Sequence, residues 1–259
     1  FIAQTNNYII FGVLLTIFIA ATSVTLWEQS LITEVYTFEF LLINIFFYLY
    51  LKFFFNAVIF RNLNKQTNNK NLAKKSRDFI TANKRTIILL SLFFALAFTH
   101  RPTSIFLIIF FIAILYYFKD YLFYDNKLFL YKIVGFCLGL STLLLMMLKS
   151  FAQPLMNWGN PNSLTLLIEH FSGKLYHNRL FNLPFEKVIA NLSAFFLLIS
   201  NQHFWFLFIP IIIIGFIWLL KNNRQFVLPF LLYQLILVFY AINYDIPDID
   251  AYYIPVFTI

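Results

Sequence analysis

Of 259 residues, 61% are apolar and 12% charged, against roughly 25% charged in an ordinary soluble domain. Lipid is the solvent that tolerates such a chain, so the composition predicts an all-α, polytopic membrane protein with the bilayer as its first partner. A formal net charge of +8 would suggest nucleic acid on a soluble body with a basic face, but here the charge gathers in one loop, and no nucleic-acid partner is expected.

The chain opens on Phe1 without an initiator Met or a basic leader and stops at Ile259 inside an apolar run, which reads as a fragment of a longer membrane domain. A spanning helix needs about 20 mainly apolar residues. Candidate spans are 8–26, 35–60, 86–99, 103–118, 128–148, 204–220 and 226–242, with another beginning near 251. The short stretch at 86–99 is expected to extend from Thr86 through Thr103 with a break at Pro102. The segment 187–200 carries Asn191, Ser193 and Ser200 and is too short to cross, so it should lie along the interface or re-enter. Cys137, the single cysteine, rules out an intrachain disulfide and reads as a small buried hydrophobe.

Orientation follows from Lys and Arg, which cytoplasmic loops retain. Segment 61–85 holds Arg61, Lys65, Lys70, Lys74, Lys75, Arg77, Lys84 and Arg85 against the single acid Asp78, and is expected to be a cytoplasmic, low-complexity connector touching anionic headgroups. Alternation then puts Lys119 to Lys132 and Lys221 to Arg224 on the same side. The outer face receives Glu28, Glu34, Glu39, Glu169, Glu186, Asp245, Asp248 and Asp250. The outer loop at 149–187 is longer than a connector needs, and its aromatic and aliphatic content argues against disorder.

Four polar clusters fall on that outer face. WEQSLITEVYTFEF offers Trp27, Glu28, Glu34 and Tyr36; Glu34 fits either a carboxylate favoured at a helix N-terminus or a buried acid orienting a substrate hydroxyl. THRPTS leaves His100 and Arg101 at the boundary, where Arg101 either meets a phosphate with its planar fork or simply reaches the headgroups. NWGNPNSLTLLIEHFSGKLYHNR predicts a short surface helix from Ser163 to Phe171 after a turn at Asn160 or Asn162. Glu169, His170 and His177 match no ligand spacing, so no metal or other cofactor is expected. NYDIPDIDAYYIP carries Asp245, Asp248 and Asp250, which fit a cation site, a general base or helix N-caps. No Walker loop, dinucleotide fingerprint, zinc-protease or nucleophile-elbow motif occurs, and the predicted span centres hold almost no charge.

The pieces TEVYTF, SLFFALAFTHRPTS, MNWGNPNSLTLLIEHFSGKLY and YDIPDIDAYYIP make the sequence resemble the transmembrane protein 260-like family, domain-of-unknown-function family 2723, whose eukaryotic member is a protein O-mannosyltransferase. The resemblance implies a GT-C fold: a membrane glycosyltransferase that moves a sugar from a polyprenyl-phosphate donor substrate to a protein or glycan acceptor on the outer face. It implies a catalytic base in an acidic loop followed by an H-P-P-G-Y-P-like motif. Neither is present here, so the base is expected upstream of residue 1. On the same resemblance Glu34 and Tyr36 would support acceptor or donor sugar, and His100 and Arg101 the donor phosphate. Trp158, Asn160, His170 and Tyr176 would form an outer cap, with Asp245, Asp248 and Tyr252 closing the far wall. The chain's AT-rich character, abundant in Asn, Lys, Ile, Phe and Tyr, favours a bacterial inner membrane. A polysaccharide polymerase or ligase uses the same lipid-linked donor and is the nearest alternative. A secondary transporter would show internal repeats and midplane polar groups.

Overall fold

The structure is a computed structural model and describes residues 36–65, 69–155, 157, 159–201, 205–246 and 249–253. The expected span at 8–26 lies outside the described residues. Those described are helical almost throughout, with no strand beyond one antiparallel bridge between Leu180 and Tyr244. The helices are α1 Tyr36–Leu63, α2 Asn69–Ala82, α3 Lys84–His100, α4 Ile108–Leu122, α5 Lys127–Phe151, α6 Leu164–Phe171, α7 Phe185–Asn201, α8 Trp205–Asn222 and α9 Arg224–Ile242. Short 3-10 turns occupy Pro102–Leu107, Lys174–Arg179 and Ile249–Tyr253.

Among the described residues, four segments are long and apolar enough to cross a membrane: Tyr36–Leu63, Pro102–Leu122, Lys127–Phe151 and Arg224–Ile242, of 28, 21, 25 and 19 residues. At 1.5 Å per residue the longest reaches about 42 Å, beyond a hydrocarbon core of about 30 Å. Large apolar side chains such as Phe38, Tyr48, Phe55 and Ile59 on α1, and Ile133, Leu138, Leu145 and Leu148 on α5, face outward. Contiguous exposure of this kind suits acyl chains, not water.

The residues fall into two compact units. The larger is Phe38–Asn178 with Leu228–Tyr233. Its centre is a set of rings placed by helical spacing on α1 (Phe46, Phe47, Tyr50) against Phe110 of α4 and Phe230 of α9. The Phe47–Phe110, Tyr50–Phe110 and Phe110–Phe230 centroids are 5.0, 4.8 and 4.9 Å apart, all edge-on. That geometry sets each ring's positive edge on its neighbour's negative face. The smaller unit gathers Arg179–Val227 with the described parts of 1–37 and 234–259. There Phe195, Ala241 and Tyr253 form the buried centre, flanked by Leu192, Val238 and Ile249.

Three expectations change on contact with the structure. The basic segment expected as a flexible connector is helical from Asn69 to Ala82. Leu72, Ser76 and Ile80, four residues apart, bury one face, and Phe79 stacks on Phe60 at 4.6 Å; this tertiary packing outweighs a composition that reads as disordered. Pro102 does not interrupt one span. It opens the Pro102–Leu107 turn that leads into α4, while the residue before it, Arg101, is driven to extended backbone (φ −147°, ψ 119°) and ends α3. Cys137 is exposed, not buried. Gly135 and Gly139 take the inward face of α5, and two residues on from Gly135 the helix has turned about 200°.

The connections fix which helix ends lie together in the larger unit. Asn56 of α1 donates to Asn83 at 3.0 Å beside the start of α3. The Ser76 hydroxyl donates to the Tyr121 carbonyl near the end of α4 at 2.6 Å. One end of the unit therefore carries the α1 C-terminus, α2, the α3 N-terminus and the α4 C-terminus. The opposite end carries the start of α1, the end of α3, the Pro102–Leu107 turn and, through a 3.1 Å bond from Thr142 to Thr99, the last turns of α5.

Candidate functional site

At that second end, three elements converge on one carboxylate. Glu39 sits in the first turn of α1, where the macrodipole favours an acid, and its side chain is only 5% exposed. The Arg101 Nη1 donates to its Oε2 at 2.7 Å, and the Ser104 hydroxyl to its Oε1 at 3.2 Å. The Pro102 corner is what makes this possible: extended backbone at Arg101 turns the guanidinium back toward α1, and the following 3-10 turn brings Ser104 to the same acid. Tyr233, fully buried, lies within electrostatic reach of both charges. His100 stands beside the pair with its ring edge-on to Phe38 at 5.2 Å.

In the same unit the chain leaving α5 forms an asparagine-rich turn. The buried Ser150 hydroxyl donates to Asn157 Oδ1 at 3.2 Å and to Asn160 Oδ1 at 3.1 Å, and Asn157 Nδ2 donates to Asn160 Oδ1 at 2.8 Å. Gly159 and Asn160 both adopt left-handed backbone, φ 71° and 41°. The His170 ring packs directly over Gly159, where a Cβ would strike it, so glycine is required there for two reasons. Helix α6 follows over Leu164–Phe171, with Ser163 accepting from the Leu166 N–H as its cap. Phe171 packs edge-on against Phe98 at 4.9 Å, which ties α6 to α3. Tyr176 is exposed in the following 3-10 turn. Glu169 pairs with Lys174, and His177 bonds the Ser172 carbonyl at 3.0 Å.

The smaller unit holds a second set. Tyr252 is central: Tyr36, Tyr240 and Tyr244 lie around it with centroids 6.5, 6.3 and 5.5 Å away. Asp245 pairs with Lys187 at 2.6 Å, and Asn191 of α7 donates to the Ile242 carbonyl at 3.0 Å, capping the end of α9. Asn191, whose polarity marked its segment as unfit to cross, is thus spent on an orphan carbonyl.

Of the residues singled out from sequence, the structure joins His100 with Arg101 and Tyr36 with Tyr252, Asp245 adjoining that last group, and sets His170 against Gly159, the residue before Asn160. Glu34, Trp158 and Asp248 lie outside the described residues. Sequence reasoning passed over Glu39, Ser104, Ser150 and Lys187. Glu39 carried a legible signal, since an acid four residues inside one span and an arginine at the end of another are a buried pair in waiting. Among the described residues no three His, Cys, Asp or Glu side chains gather as metal ligands do.

Apolar spans, lipid-facing aliphatics and a buried polar cluster at one end define a multi-pass, all-α membrane protein. Residues 3–124 match the family model described as the Protein O-mannosyl-transferase TMEM260 N-terminal domain. That match, over just under half of the chain, supports placing it in the transmembrane protein 260-like family. No curated protein and no solved structure matches the chain.

Proposed function

We propose that this chain is part of a GT-C-type membrane glycosyltransferase that moves a sugar from a polyprenyl-phosphate donor to a hydroxyl of a protein on the outer face. The observation that carries the reading is the family match over residues 3–124, which spans both Glu39 and Arg101. Transfer from such a donor makes a bond between the acceptor oxygen and the anomeric carbon while the carbon–phosphate oxygen bond breaks. It therefore calls for a base at the acceptor and fixed positive charge at the leaving phosphate.

Arg101 is the candidate for the second role. A guanidinium held by Glu39 on one nitrogen is oriented before any ligand arrives, and preorganised charge needs no rearrangement as the phosphate departs. Glu39, with one oxygen on Arg101 and the other on Ser104, serves as an orienting anion and is poorly placed as a base. In the larger unit His100, Asn160, His170 and Tyr176, and in the smaller unit Tyr36, Asp245 and Tyr252, are candidates for sugar and acceptor contacts.

The test is transfer of labelled sugar from a polyprenyl-phosphate donor by the full-length protein in proteoliposomes. Label entering protein supports the reading. Label entering only a growing glycan favours a polymerase, and transport without transfer ends the proposal. Arg101→Ala should raise the donor KM by about tenfold or more; unchanged donor kinetics remove Arg101 from the site.

A further inference from the structure

We propose that α2 and the first residues of α3 form a docking face for anionic phospholipid headgroups, with Lys74 and Arg77 on α2 and Lys84 and Arg85 on α3. The sequence suggests a low-complexity connector touching anionic headgroups; the structure shows a folded helix with a defined outward side. Leu72, Ser76 and Ile80 are buried while Lys74, Arg77, Lys84 and Arg85 are exposed. At about 100° per residue, Lys74 lies opposite the face that Ser76 centres, and Arg77 lies on its flank. The helix cannot swing freely. Ser76 is bonded to the Tyr121 carbonyl, Phe79 is stacked on Phe60, and Lys75 donates to Asn64 Oδ1 at 2.9 Å.

Its position selects the partner. α2 and α3 are bent by 59° at Asn83, so α2 turns away from the span direction just where α1 and α4 end. Headgroups must lie at that depth if those helices cross a bilayer. The apolar side of α2 is used up against its own protein, unlike an amphipathic helix that inserts its apolar face between lipids. What remains for the membrane is charge alone. Asp78, the one acid on the helix, is also exposed on the outward side, so it offsets one of the four positive charges and the face stays net basic; each Lys or Arg near an anionic leaflet contributes about 1 kcal/mol of attraction. The proposal is independent of the transferase reading, since it needs only the spans.

The full chain, carrying Cys137→Ser and Thr81→Cys with a fluorophore on the new thiol, is reconstituted into nanodiscs of phosphatidylcholine with a minority of phosphatidylglycerol. Brominated forms of either lipid then report, by quenching, which one gathers at α2. Phosphatidylglycerol should quench out of proportion to its share, with a preference that fades as salt screens it. Removing charge in Lys74→Gln, Arg77→Gln, Lys84→Gln and Arg85→Gln should cut that preference by roughly fivefold per charge at low salt. The double variant Lys74→Arg with Lys84→Arg should keep it, and unchanged helicity verifies the fold. Equal quenching by the two lipids overturns the proposal, as does a preference that survives loss of all four charges. A probe that ignores both lipids but responds to a soluble acidic polymer would give the face to a different partner and equally overturn it.

Discussion

Glu39 shows how far one buried acid can organise its surroundings. Its partners come from two different segments, and the cluster closes because Pro102 dictates the backbone of Arg101. Taking two charges out of water is costly, and the pair is tolerated because each oxygen of Glu39 has a donor. Removing one partner leaves the other charge buried and uncompensated, at a cost of about 3–5 kcal/mol. Glu39→Gln and Arg101→Met should each lower the thermal unfolding midpoint in detergent markedly. The double variant should recover a large part of the loss, because two neutral side chains leave no orphan charge. Additive losses in that cycle would mean that the two residues do not act as a pair. Part of this was legible from sequence: THRPTS pointed to Arg101 and to a boundary, while the acid singled out was Glu34. The depth of Glu39 inside its span was a legible sign that it needs a partner, but the choice of Arg101 was not, because periodicity places residues along a helix and says nothing of which helix stands beside it.

At the scale of elements, span positions follow from apolar run length, and the helix ends move by a few residues where caps and prolines decide them. The contact between α3 and α5 is where the sequence said least and packing says most. The two helices run parallel, with Gly135 opposite Ile88 and Ser91, Gly139 opposite Leu92 and Ala95, and Thr142 bonded to Thr99. Small residues four apart let backbones approach closely, the usual means of helix association where lipid removes the hydrophobic drive. A Cβ at Gly135 would collide with the Ile88 carbonyl oxygen, and one at Gly139 with Ala95 Cβ. Gly135→Ala and Gly139→Ala should therefore each destabilise the protein by about 1–3 kcal/mol, since the obstacles are backbone and a rigid methyl. Gly215→Ala in α8 is the control. Nothing lies within 4 Å of its added Cβ, and the better helix former should leave the midpoint unchanged or raise it. Equal losses at all three glycines would attribute the effect to helix propensity and not to this contact. The α2 helix taught the converse lesson: its Asn- and Lys-rich composition hid three well-spaced residues, Leu72, Ser76 and Ile80, that suffice to dock it.

For the molecule as a whole, the decisive quantity is the number of crossings between Thr81 and Tyr176. At 17 residues, α3 is about 25 Å long, shorter than a hydrocarbon core of about 30 Å, so length alone does not say whether it traverses or re-enters. Its contacts do. Asn83 beside its start bonds Asn56 of α1, and Arg101 beyond its end bonds Glu39 of α1. It therefore runs antiparallel along 17 residues of a helix that is itself long enough to cross. Lys84 and Arg85 at one end can extend to the headgroups and make up the missing length. If α3, α4 and α5 each cross, three passages separate Thr81 from Tyr176 and the two lie on opposite sides. In a Cys137→Ser background, Thr81→Cys should react with a membrane-impermeant maleimide only from the basic side, and Tyr176→Cys only from the other. Labelling of both from one side would make α3 a re-entrant helix. It would put the basic helix and the asparagine-rich turn on the same face, and Lys74, Arg77, Lys84 and Arg85 would no longer mark a side distinct from that of the candidate site.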